Sequence, residues 1–243
     1  MGREIIIQPH SDDALFCCYS ILSRHKDVEV ITVENDPKRI AEDDKLYDVL
    51  EVPHSHLNTS YKDESYYAYF PKQKKGEPRV PRRKVELESS IQCLREHFGA
   101  EGYESLLSEI KRLSNAVDNE ENTIYLPAGI GHPSHLVIRH LFESAIEHAK
   151  IIYYRDFPHS YRRSSKEQLE EFKAECPYHE EFQLTEEDHN LKWWLAGKFY
   201  RSQSGLMFYE QGHIQKNVPE EFYSREEFNG SRRWRKEELT KRS

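Results

Sequence analysis

Two short β-branched runs enclose a helical stretch within the first 35 residues. Glu4–Gln8 reads as a buried strand that breaks at Pro9. Ala14 to Arg24 then carries Leu15, Cys18, Ile21 and Leu22 at helical spacing, and Val28–Glu34 is a second strand. A β-α-β start of this kind feeds a parallel sheet with helices on its faces, because a short crossover closes in only one hand. The alternation continues. Helices are expected over Ile40–Leu50, through Leu87, Ile91, Leu94 and Phe98 up to Gly99, through Leu106 to Val117, and over Ser134–His148. Strands are expected at Thr123–Leu126 and Ile151–Arg155. The predicted fold is α/β, a Rossmann-like, mostly parallel sheet covered on both faces. Residues 1–160 form the core. Beyond Pro158 come an acidic helix, short extended segments and a helix from Glu186 to Tyr200, so 161–243 reads as a C-terminal α+β extension of the same domain with a loosely held tail.

Composition narrows the classes. At 243 residues the chain can bury a core without disulfides, and its four cysteines show no C-x-x-C spacing. No apolar run is long enough to span a membrane and no signal segment is evident, so a cytoplasmic enzyme with no membrane partner is expected. The net charge of −8 argues against a nucleic-acid partner. That charge is segregated. Pro71–Lys84 holds seven basic residues and one acidic, whereas Ser164–Asn190 holds nine acidic and two basic.

The chemistry concentrates at two strand ends. Gln8-Pro9-His10-Ser11-Asp12-Asp13 follows the first strand directly. Adjacent carboxylates repel, so a cation or a proton is expected to neutralise one of them. The second cluster, Gly129-Ile130-Gly131-His132-Pro133-Ser134-His135, follows strand Thr123–Leu126. Parallel strands place their carboxyl ends on one edge, where ligands of open α/β sheets sit. His10, Asp13 and His135 can then form a two-histidine, one-carboxylate metal site, with Asp12 beside it to act on water. The remaining histidines, including His54 and His56 in a polar loop and His25, His97, His140 and His148 on helices, read as solvated or packed. Cys17 and Cys18 read as small packing residues. Tyr61, Tyr66, Tyr67, Tyr69, Trp193 and Trp194 offer aromatic faces for sugar rings.

These residues resemble the LmbE/PIG-L family of zinc-dependent de-N-acetylases. The resemblance rests on Pro9-His10-x-Asp12-Asp13 and Gly131-His132-x-x-His135. Arg39-x-x-Glu42, Tyr153-Tyr154-x-Asp156-x-Pro158-His159 and Lys192 with Tyr200-Arg201-Ser202-Gln203 follow in the family's order, so that it covers Glu4 to Phe208. It implies zinc on His10, Asp13 and His135, Asp12 as general base, and His132 as the group that stabilises the transition state or protonates the leaving amine. It implies Arg39 as a substrate contact, and an N-acetylated amino sugar or conjugate, such as an aminoglycoside precursor, as the small-molecule partner. Ser11 and Ala14 replace the family's frequent Pro and Glu. Ile130 stands where some members carry an oxyanion-holding tyrosine. Ser134 replaces a frequent Asp, so an acid that braces a ligand from behind is expected to be missing. Two rival classes are a glycosyltransferase-type enzyme, with Asp12 and Asp13 on a metal-bound diphosphate, and a non-catalytic carbohydrate-binding protein.

Overall fold

The computed structural model describes residues 2–23, 27–62, 84–203 and 217–228. Its sheet contains β1 (Glu4–Gln8), β2 (Val28–Thr32), β3 (His54–His56), β4 (Thr123–Pro127), β5 (Lys150–Tyr154), β6 (Tyr178–Phe182) and β7 (Glu220–Ser224). The helices are α1 (Asp13–Cys17), α2 (Tyr19–Leu22), α3 (Pro37–Leu50), α4 (Leu87–Val117), α5 (Pro133–Glu143), α6 (Lys166–Glu175) and α7 (Glu186–Phe199). Spatially the strands run β3-β2-β1-β4-β5-β7-β6. The first five are parallel, and β7 lies antiparallel between β5 and β6. This is the Rossmann-like α/β fold expected from the alternation.

Strand alternation splits the core into two layers. Ile5 and Ile7 of β1, with Ile124 and Leu126 of β4, pack against α4, α5 and α6 through Leu106, Ile110, Val137, Phe142 and Phe172. Ile6, Val30, Tyr125 and Tyr154 face the other way, onto α1, α2, α3 and α7. A sheet covered on both faces explains why β1 is apolar at three successive positions and buried throughout.

Local differences from the sequence reading have identifiable causes. The first helix is interrupted at Cys18, where φ is −133°. The Glu220 carboxylate accepts from Tyr19 N and Ser20 N at 3.0 and 2.8 Å and so caps a separate second helix. The third helix begins earlier than Ile40, at Pro37, because Asp36 accepts from Lys38 N and Arg39 N. Helix α5 stops at Glu143 rather than His148. Asp118 captures the amides of Glu147, His148 and Ala149 and turns the chain into β5. Gly99 breaks α4 at φ 71°, between the two stretches read as separate helices. Strand β3 lies in the segment around His54 and His56 that reads as a polar loop.

The topology fixes where a site can form. The chain builds outward from β1 to β2 and β3, then returns to place β4 on the other side of β1, with Glu4 beside Thr123 and Ile6 beside Tyr125. The β1–β4 boundary is thus the switch point, and the loops after these two strands leave the sheet side by side. Among the described residues no helix is long and apolar enough to cross a membrane.

Candidate metal centre

The loop after β1 delivers His10, Asp12 and Asp13, and the loop after β4 delivers His132 and His135. All five side chains are buried. Asp13 opens α1 and folds back so that its Oδ2 accepts from His10 N at 2.9 Å, which locks the turn. His135 sits in the first turn of α5, whose start is set by Pro133. Gly131 takes φ 74° just before it. A Cβ there would lie 2.4 Å from Ser165 Oγ and 2.9 Å from the His159 carbonyl oxygen, so only glycine lets the loop pass.

Three donor atoms converge. His135 Nε2 is 3.0 Å from His10 Nδ1, and Asp13 Oδ2 is 3.5 Å from His10 Nδ1 and 3.4 Å from His135 Nε2. Ligands held 2.0–2.1 Å from a tetrahedral ion are about 3.3 Å from one another, so this triangle has the dimensions of one face of such a site. One ring nitrogen each from His10, His132 and His135 also lies within 4.8 Å of the others. This buried group can hold a metal ion.

The surrounding contacts point the histidines inward. His135 Nδ1 is 2.7 Å from Asp156 Oδ1, and Asp156 Oδ2 accepts from Ile130 N. The carboxylate therefore fixes the imidazole proton on Nδ1 and leaves Nε2 for a cation. The acid expected to be missing at Ser134 is thus supplied by Asp156, from the end of β5. On the other ligand, Tyr61 OH lies 3.1 Å from His10 Nε2 and Ser134 Oγ 3.3 Å from it. Tyr61 is buried against Phe98 and belongs to the core, so it does not offer a face to a sugar. Tyr66, Tyr67 and Tyr69 lie outside the described residues.

Burial and charge set the ionisation. Burial alone would raise the pKa of Asp13, but His135 and His10 outweigh it and hold the carboxyl below its ordinary range. Burial pushes Asp12 well above that range. Arg39 and His10 oppose the shift, and the adjacent Asp13 and Glu34 add to it. Asp12 also takes φ 128°, a left-handed value that costs a non-glycine residue about 1–3 kcal/mol. Arg39 Nη2 lies 3.2 Å from Asp12 Oδ1, and the guanidinium also contacts Glu34 and the Ser11 carbonyl. The expected substrate arginine is therefore buried behind the expected base.

His132 stacks edge-on between His10 and His159, 4.9 and 4.5 Å between centroids, and its Nδ1 is 2.8 Å from Ser134 Oγ. Burial, then the neighbouring His159, His135, His10 and Arg162, lowers its pKa well below the ordinary histidine value.

The later motifs assemble around this centre. Glu42 accepts from Ser202 N at 2.9 Å and pairs with the Ser202 hydroxyl, while Tyr200 OH donates to Asp43 at 2.6 Å. Lys192 Nζ reaches Phe16 O and Glu220. Trp193 packs on Phe16 and Phe157, whereas Trp194 is exposed. Cys17 and Cys18 are buried in the core, where burial raises their thiol pKa values. Lys84, the last residue of the basic run, pairs with Glu171 of the acidic segment. The rest of that run lies outside the described residues. No model of a known protein family matches the chain, and a search of curated proteins finds no match.

Proposed function

We propose that the chain is a zinc-dependent amide hydrolase of the LmbE/PIG-L type that removes the acetyl group from an N-acetylated amino sugar or amino-sugar conjugate. The observation that carries this reading is the triangle formed by His10 Nδ1, Asp13 Oδ2 and His135 Nε2, with a second carboxylate, Asp12, at the preceding position in the chain, held by Arg39. His10, Asp13 and His135 would hold the ion. When bound, zinc polarises an acyl oxygen and lowers the pKa of water towards neutrality.

The chain's own groups do the remaining work. Asp12 accepts a proton from the attacking water and returns it to the departing amine, so that amide plus water becomes acetic acid plus amine, which leave as acetate and the ammonium form. Arg39 and the strained turn at Asp12 hold this carboxylate in place. His132 contributes as a hydrogen-bonding group near the developing oxyanion, the first of the two roles the resemblance implies for it. Burial of all five groups strengthens each of these interactions.

The acidic segment Ser164–Asn190, which follows the loop carrying Asp156, favours a cationic polyamine product such as a deacetylated aminoglycoside. The protein is read as cytoplasmic, acting on a soluble small molecule without nucleic-acid or membrane partners. The test is acetate release from a panel of N-acetylated sugars and aminoglycosides by protein of measured zinc content. Zinc-dependent release is expected. Binding of these compounds without any release would favour a carbohydrate-binding protein, and preference for manganese with a sugar nucleotide would favour the glycosyltransferase reading.

A further inference from the structure

Away from this centre, a second histidine pair faces a carboxylate at the edge of the sheet. His54 and His56 stand two apart on β3, the outermost strand beyond β2, so both side chains leave the same face. Asp44 on α3 meets them. Its Oδ1 lies 3.0 Å from His54 Nε2 and 3.3 Å from His56 Nε2, and one donor atom of each residue falls within 4.8 Å of the others. The two histidine side chains are 17% and 15% exposed and Asp44 is 48% exposed, so solutes can reach the cluster from the carboxylate side.

The hydrogen bonds at His54 leave an electrostatic conflict. Its Nδ1 lies 3.3 Å from the Val52 carbonyl oxygen, which can only accept, so the ring proton belongs on Nδ1. In the neutral ring Nε2 then presents a lone pair to a carboxylate oxygen. A cation between them, a metal ion or a second ring proton, removes the conflict, and Asp44 Oδ1 already serves both imidazoles. Two imidazoles and one carboxylate suit zinc, nickel, cobalt or copper rather than magnesium or calcium.

We propose that Asp44, His54 and His56 form a second divalent transition-metal site, which clamps edge strand β3 to helix α3. The clamp has a structural consequence. The chain leaves β3 by bonding Leu57 N to Thr32 O and continues to Tyr61, whose hydroxyl supports His10. Anchoring β3 therefore steadies the segment that carries Tyr61 to the first centre.

The test counts Zn2+ bound per full-length chain after equilibrium dialysis, by elemental analysis, in the wild type, Asp44→Asn, His54→Ala and His135→Ala. The expected result is about two ions in the wild type and one fewer in each single variant. If His135→Ala changes nothing while Asp44→Asn and His54→Ala each lose an ion, the edge site stands and the first centre fails. If Asp44→Asn and His54→Ala keep the wild-type number, the cluster is a salt bridge only and the proposal is overturned. A readout on the wild type covers loss of folding in a variant. Zn2+ titration is expected to shift the 15N resonances of His54 and His56 Nε2, and unchanged resonances at both would overturn it.

Discussion

His135 Nδ1 and Asp156 Oδ1 sit 2.7 Å apart, fully buried, although 21 residues separate them in the chain. The contact exists because β4 and β5 are parallel neighbours, Pro127 beside Tyr154, so their carboxyl ends emerge together. The bond settles which imidazole nitrogen faces the centre. Replacing Asp156 with Asn keeps the shape but turns an acceptor of the Nδ1 proton into an amide that can compete with it. Zinc affinity, measured by chelator competition, is expected to fall about 10–100-fold. Unchanged affinity would show that Asp156 does not orient the ligand.

Asp12 has a different signature from Asp13, since Arg39 backs Asp12 and histidines surround Asp13. Asp12→Asn is expected to lower turnover by about 10²–10⁴-fold, the usual worth of a general base, with zinc content unchanged. Loss of zinc together with activity would instead make Asp12 a ligand. Asp13→Asn is the control, in which zinc is expected to be lost.

Four of the five parallel strands, β1, β2, β4 and β5, are legible in the chain because each is a short, mostly apolar run bounded by a turn. The two clusters are legible because they follow such runs. Other parts were hidden for physical reasons. Strand β3 reads His-Ser-His and carries no apolar residue, since it is an edge strand whose side chains meet Asp44 rather than a core. The bracing role of Asp156 depends on which strand neighbours β4, and strand order is not a local property. Tyr61 resembled a surface aromatic because its neighbours in sequence are polar, whereas its neighbours in space are Phe98 and His10.

Asp43 gives the fold a pH dependence. It is buried beside Gln8, Thr32 and Tyr200, and burial raises its pKa to about 7 against the hydrogen bonds from Tyr200 and Thr32 and the charge of Arg39. A carboxyl whose folded pKa is raised binds its proton more tightly in the native state, so its stabilising contribution is complete below about pH 4 and is lost as the pH rises towards 7. The loss amounts to roughly 4 kcal/mol at most. In urea unfolding at pH 4.5 and 7.5, the wild type is expected to lose more stability between the two than Asp43→Asn does. Equal slopes would mean that Asp43 is ionised throughout.

Gly131 tests whether the second loop is built around its backbone. At φ 74° an alanine is strained, and its Cβ would meet Ser165 Oγ and the His159 carbonyl at distances no carbon tolerates. The Ser165 hydroxyl can rotate away only by giving up its 2.8 Å bond to that same carbonyl. Gly131→Ala is therefore expected to cost about 2 kcal/mol or more in unfolding free energy. Because Gly131 N also donates to Gln168, the loop can yield only by shifting His132 away from Ser134 and His10. Turnover is accordingly expected to fall further than zinc content does, since His135 remains braced by Asp156 while His132 sits next to the shifted residue. A variant with wild-type stability and turnover would show that the loop has room that this geometry denies it.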